Sequence, residues 1–279
     1  MLKQRVITAS ILAPLVVWAV LESPTPYLAL VFGVLIVQGG WEWSGFMKLA
    51  STALRVSYPA VVGGALLAVW FFVDWNSSDW LVLPVLSLFW WLLALLWVLG
   101  FPRSARRWSP RWAQTLIGLL VLVPSWLSVV GLHQDIHQGP ALLLYLLLLI
   151  WCADIGAYFG GRRWGRRKLA PAVSPGKSWE GAYSALAASL VFALLGALFF
   201  GLPGNQLLAL VVLSLVTVAF SILGDLTESM FKRHAGIKDS GVLLPGHGGV
   251  LDRIDSITAA APVFVVGLWL FDFQHWNLV

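Results

Sequence analysis

The stretch Pro140–Lys168, PALLLYLLLLIWCADIGAYFGGRRWGRRK, decides the fold. From 140 to 160 it is an apolar run interrupted by one acid, Asp154. A helix needs about 20 such residues to cross the hydrocarbon core of a bilayer. Directly behind the run stand Arg162, Arg163, Arg166, Arg167 and Lys168, with no acid among them. An apolar span followed by a basic loop marks a helix that ends on the cytoplasmic side. The unit recurs in both directions along the chain. Further apolar runs fall near 6–22, 26–41, 56–73, 80–100, 113–131, 181–201, 206–224 and 256–273, giving nine candidate spans in all.

The breaks between spans confirm the alternation. ESPTP, DWNSSD, HQDIHQGP and GLPGNQ hold neither Lys nor Arg. The other breaks hold all 18 basic side chains. They comprise Lys3 and Arg5 before the first span, Lys48 and Arg55 after the second, and Arg103, Arg106, Arg107 and Arg111 after the fourth. Six more run from Arg162 to Lys177, and Lys232, Arg233, Lys238 and Arg253 follow the eighth span. Such segregation predicts an all-α polytopic membrane protein of about nine transmembrane helices, with the N-terminus in the cytoplasm and the C-terminus outside. The basic start MLKQRV before an apolar run reads as an uncleaved first helix, because no small-residue cleavage site follows.

Composition agrees. The chain is 59% hydrophobic and 11% charged, against about 25% charged in a soluble domain. The net charge of +5 therefore belongs to the cytoplasmic face, where it suits anionic headgroups or nucleotides. Cys152 is the single cysteine, which excludes an intrachain disulfide and argues against redox chemistry. No internal repeat, low-complexity tract or separate soluble domain is visible. Residues 1–140 read as a helical scaffold and 141–279 as the helices that carry a cytoplasm-facing site, within one membrane domain.

Two loops carry chemistry. In the first, Asp154 lies inside an apolar helix, where an acid is costly and marks a functional position; Tyr158 shares its face one turn on. Further along comes Ser174-Pro-Gly-Lys-Ser178. Here Pro175 and Gly176 predict a tight turn, with a helix starting near Ser178 whose N–H groups, with Lys177, favour phosphate. A Walker loop is excluded, because the glycine it needs upstream of Gly176-Lys-Ser is missing and no strand is expected before it. An ordinary helix cap at Ser178 is the competing reading.

The second loop opens on a helix. Ser221, Asp225, Glu228, Ser229 and Lys232 share one face as that helix leaves the membrane. It runs on through SMFKRHAGIKDSGVLLPGHGGVLDRID, Ser229–Asp255. Gly246, Gly248 and Gly249 let the backbone approach a ligand closely. His247 between them suits phosphate contact or, equally, a turn satisfied by its own backbone. Asp252 and Asp255 share a face at the start of the last span. An antiparallel pair of helices would bring Asp225 and Asp252 to one depth. Oxygen ligands of this kind suit Mg²⁺ completed by substrate phosphates.

Read as a pattern, the block S-x-F-K-R-x4-K-D-x-G-x2-L-P-x-H-G-G-V-x-D-R-I-D resembles the signature of the phosphatidate cytidylyltransferases, the CDP-diacylglycerol synthases. Every position from Ser229 to Asp255 that the signature specifies is filled. GDLTES, DIGAYFGGR and SPGKSWEG are similar to further family segments. The resemblance covers 151–261.

The resemblance implies that CTP and phosphatidic acid react to CDP-diacylglycerol and pyrophosphate. The reaction would be an in-line nucleotidyl transfer at the cytoplasmic face of a bacterial inner membrane. It implies Mg²⁺, with K⁺ as a second ion, and a homodimer among membrane lipids; nucleic acid is not an expected partner. The expected catalytic residues are Asp225, Asp252, Lys238, His247 and Arg253. Ser174, Lys177, Ser229, Lys232, Arg233, Gly248 and Gly249 are expected on substrate phosphates. Asp225 and Asp252 would hold the metal, with Asp255, Asp239 and Asp154 as further candidates. Three rivals are weighed. A transporter would place charged residues or Gly/Pro breaks at mid-span, whereas this chain has its acids at cytoplasmic helix ends. A CDP-alcohol phosphotransferase would show a DG-x2-AR pattern, absent here, and a CTP-dependent polyprenol kinase is set aside with it. A catalytically silent relative would lack the acids that this chain keeps.

Overall fold

Lipid offers the backbone no hydrogen bonds, so each apolar run must pair its own N–H and C=O groups and folds as a helix. The computed structural model describes residues 13–49, 51–75, 77–135, 138–243 and 248–273. Helix α1 is described over Ala13–Glu22. It is followed by α2 (Thr25–Phe46), α3 (Thr52–Phe72), a 3₁₀ turn at Ser78–Leu81 entering α4 (Val82–Leu99), the short α5 (Ala105–Trp108) and α6 (Arg111–Asp135). Then come α7 (Gly139–Trp164), the strands β1 (Lys168–Ala170) and β2 (Ser174–Ser178), α8 (Trp179–Phe199), α9 (Gly204–Ala235) and α10 (Leu251–Leu270).

Among the described residues, eight helices are long and apolar enough to cross a membrane, and α1 is a shorter apolar one. The all-α polytopic fold expected from the sequence is the one observed. The start of the first helix, residues 1–12, lies outside the described residues.

Helices α6 and α10 form the centre of the bundle, with 78% of the most apolar stretch of each buried; α3 and α8 are peripheral, with 22%. Helix α10 packs along α9 and also touches α6, α4, α2 and α7. Helices α7 and α8 meet through small residues, Gly156 and Gly160 lying against Ser184, Ala185 and Ala188, which is how membrane helices approach closely.

Helix α9 has 32 residues. At 1.5 Å per residue it is about 48 Å long, against a hydrocarbon core of about 30 Å. Its polar end therefore projects beyond the span expected at 206–224. Gly236, with φ of 80°, terminates it. Ile237 N donates to Lys232 O and Gly236 N to Arg233 O, a Schellman-type stop. An aromatic cluster holds this end: Phe231 stands 4.5 Å from Trp108 of α5 and 4.8 Å from Trp43 of α2, centroid to centroid.

One local expectation is corrected. Pro175 and Gly176 do not form a tight turn; they lie within β2, which pairs antiparallel with β1 through Lys168–Ser178 and Ala170–Ser174. An edge strand tolerates a proline that has no N–H to donate, and the turn falls instead at 171–173, where Val173 N donates to Ala170 O. The helix-cap alternative for Ser178 holds: its side chain accepts from Gly181 N at 3.2 Å and opens α8.

Candidate active site

The chemistry gathers where the polar ends of α7, α9 and α10 meet the β1–β2 hairpin. A cavity of about 430 Å³ opens there, with Asp154, Tyr158, Arg162, Lys177, Asp225 and Ser256 in its wall. Alanines and glycines of α7 and α8, with Ile222 and Leu169, make the remainder apolar. A site with one charged wall and one greasy wall suits a molecule that is itself half phosphate and half hydrocarbon.

The first ion pair crosses from hairpin to helix. Lys177 Nζ lies 2.6 Å from Asp225 Oδ2, and Ser229 Oγ donates to Asp225 Oδ1 at 3.2 Å. The pair is part-exposed, at 28% and 33% of the two side chains, so it opens to solvent and to ligand. Arg233 Nε donates to Val173 O at 3.1 Å and docks the hairpin turn on α9. Glu180, in the first turn of α8, accepts from the backbone N–H groups of Arg166 and Arg167 and holds the approach to β1. Asp154 shares the cavity wall with Lys177 and Asp225. Tyr158 accepts from Arg162 Nη1 at 3.0 Å.

The second network is more enclosed. Lys232 Nζ stands 2.6 Å from Asp252 Oδ1 and 2.9 Å from Glu228 Oε2, with the Lys232 and Asp252 side chains 11% and 7% exposed. Asp252 Oδ2 accepts from Gly249 N at 2.8 Å and Ser240 N at 3.0 Å. Gly248, with φ of 81°, brings the backbone so close to Asp252 that a Cβ would strike its carboxylate; only glycine takes that left-handed turn there without strain. Asp255 Oδ1 accepts from Ser256 N at 2.7 Å.

The register corrects one expected geometry. Gly224 lies against the backbone of Asp255, so Asp225 is level with Asp255. Asp252 stands about a turn further along, within reach of Lys232. The two acids expected at one depth are thus offset, each with its own lysine.

The other expected residues are placed as follows. Ser174 begins β2, paired with Ala170. Lys238, Asp239 and Arg253 are exposed and are not part of the cavity wall. His247 lies outside the described residues, with Leu244, Pro245 and Gly246.

Two residues escaped the sequence reading. Glu228 was seen only as part of a polar face, yet it shares Lys232 with Asp252. Glu42, on α2, is 3% exposed and accepts from Ser240 Oγ, Val250 N and Leu251 N at 2.8–2.9 Å. The available signal was an acid flanked by tryptophans at the end of an apolar run, QGGWEW.

The donor set fits a hard cation. All candidate ligands are carboxylates, and Glu228 Oε1 is buried with no hydrogen-bond partner among the described residues. Among those residues no group of three or more carboxylate, His or Cys side chains is arranged to hold a metal by itself. One or two carboxylates completed by substrate phosphates is the usual provision for Mg²⁺.

Comparison with known proteins bears on the whole chain. The model of the cytidylyltransferase family matches residues 3–271. The phosphatidate cytidylyltransferase of Pseudomonas aeruginosa is 48% identical over 270 residues, 96% of this chain and 97% of that one. The protein of the same name from Haemophilus influenzae is 43% identical over 284 residues, covering 95% and 97%. That of Brucella suis is 34% identical, covering 97% and 93%.

Proposed function

The chain belongs to the cytidylyltransferase family, and from that premise we propose that it transfers the cytidylyl group of CTP to phosphatidate, releasing pyrophosphate and leaving CDP-diacylglycerol in the membrane. The observation that carries the proposal is the half-polar cavity flanked by two Lys–Asp pairs at the polar ends of spanning helices. A lipid phosphate and a soluble triphosphate can meet only at such a boundary.

The step is a direct in-line displacement. An oxygen of the phosphatidate phosphate bonds to the α-phosphorus of CTP. The bond from that phosphorus to the α–β bridging oxygen breaks, and pyrophosphate leaves with the electron pair. The lipid phosphate is already ionised near pH 7, so no general base is needed. The protein's work is to position and to neutralise charge. Lys177 and Arg162 face the cavity and suit the lipid phosphate. Lys232, with the exposed Lys238 and Arg253, suits the triphosphate. Ser174 on β2, Ser229 on α9 beside Asp225, and Gly248 and Gly249, whose lack of a side chain leaves room for a ligand, complete the phosphate set, and His247 belongs to it by its sequence position. Arg233 acts through the hairpin that it docks. A bound Mg²⁺, with K⁺ as a second ion, would neutralise the phosphates and align the attacking and leaving oxygens. Asp225 and Asp252 are the residues that would hold it, with Asp255, Asp239 and Asp154 as further candidates.

On the same reading the protein lies in a bacterial inner membrane; the distribution of basic residues supports an N-terminus and a site on the cytoplasmic side. The family resemblance adds a homodimer.

The test uses detergent-purified protein, phosphatidic acid, Mg²⁺ and CTP labelled at the α-phosphate. Label should pass into the organic phase with wild type and not with Asp225→Asn. Folded wild-type protein that leaves all label in water would overturn the proposal.

A further inference from the structure

Helix α10 begins at Leu251 with four N–H groups that its own turns cannot satisfy. Most helices place Ser, Thr, Asp or Asn at the cap for this purpose. Here the cap position is Val250, and no side chain at the cap accepts. The acceptor comes from another helix. Glu42 Oε1 takes the N–H of Val250 at 2.9 Å, and Glu42 Oε2 takes the N–H of Leu251 at 2.8 Å. Residue 42 and residue 250 are 208 positions apart in the chain.

The same carboxylate takes two further donors, Ser240 Oγ at 2.8 Å and Gln38 Nε2 at 3.2 Å. Four donors, two on each oxygen, fill the acceptor capacity of a carboxylate. Its negative charge also sits at the positive end of the α10 dipole. The loop is shaped around it. A Cβ on Gly241 would stand 2.6 Å from Glu42 Oε1, and a Cβ on Gly249 would run into Glu42 Oε2. Both glycines are therefore required by the approach of Glu42 as much as by any ligand.

Ser240 links this cap to the site. Its hydroxyl serves Glu42 and its N–H serves Asp252 Oδ2. Asp252 in turn holds Lys232. We propose that Glu42 is a positioning residue. By capping α10 from α2 and holding Ser240, it sets where Asp252 and Lys232 stand, and so couples the N-terminal helices to the chemistry of the C-terminal ones. The catalytic consequence rests on the cytidylyl-transfer reading; the capping does not.

The test compares full-length Glu42→Gln, Glu42→Asp and Gly241→Ala with wild type. Backbone amide exchange over 238–254 and kcat and KM for CTP are measured on protein whose thermal transition is intact. A glutamine turns an N–H₂ toward N–H groups and cannot accept from both. Exchange should rise across 238–254 and not in α7 or α8. Loss of such a supporting group typically costs about 10–100-fold in activity; the loss should fall on kcat more than on KM. Glu42→Asp keeps two acceptor oxygens and should recover part of kcat. Gly241→Ala displaces the carboxylate without altering it and should loosen the same segment; it decides the matter if Glu42→Gln does not fold. Unchanged exchange over 238–254 would overturn the proposal whatever the activity. A loosened segment with wild-type kcat would overturn the positioning role. If wild type itself transfers no label, the functional reading fails and the exchange result still decides the cap.

Discussion

Lys177 and Lys232 each face an aspartate at 2.6 Å, but in different surroundings. The Lys232–Asp252 pair is nearly enclosed, and removing one partner of a buried pair costs about 3–5 kcal/mol, because the other charge is left stranded. The Lys177–Asp225 pair is part-exposed, and such pairs contribute about 0–1 kcal/mol. Lys232→Ala should therefore lower both turnover and the thermal transition. Lys177→Ala should remove most turnover and leave the transition nearly where it was; a drop as large as that of Lys232→Ala would show the pair to be structural. Asp225, Asp252 and Lys232 were legible because charges at the ends of apolar runs have few reasons to be there. Glu42 was not legible as part of the site. Periodicity says which face of a helix is apolar, but not which distant helix packs against it.

At the scale of elements, the helices were readable and the hairpin was not. Apolar length announces a span on its own. Strands of three and five residues, one with Pro and Gly inside, carry no such signal. They form because neighbours hold them: Arg233 on Val173 O, and Glu180 on the N–H groups of Arg166 and Arg167. Glu180→Ala should free the 164–168 segment, and limited trypsin digestion should then cut at Arg166 or Arg167 faster than in wild type while the spans stay intact. Equal cutting rates would mean that the hairpin is held elsewhere. Helix α9 continues beyond its apolar stretch to a glycine stop, as the shared polar face of Ser221–Lys232 leads one to expect.

For the whole molecule, the 18 basic residues predict one orientation. With Cys152 replaced by Ala, a single cysteine at Ser109 should react with an impermeant thiol reagent only after the membrane is opened, and one at Asn205 should react in intact spheroplasts. The reverse pattern would turn the protein over. The division of labour between the two halves could be read only coarsely. Nothing in residues 1–140 announces that α2 reaches the loop before α10.

The apolar wall of the cavity has a kinetic meaning. Ile155, Phe159 and Tyr183, neighbours of its lining on α7 and α8, are 59%, 64% and 52% exposed, large apolar side chains that suit contact with lipid. Pulling an acyl chain out of a membrane costs about 0.8 kcal/mol per CH₂, so a two-chain lipid is in effect never free in water. An enzyme whose cavity meets the lipid phase sideways has no need to extract it. Its substrate concentration is then two-dimensional: on the proposed reaction, turnover should follow the mole fraction of phosphatidate in the micelle, and diluting it with inert detergent at constant bulk concentration should slow the enzyme as removing substrate would.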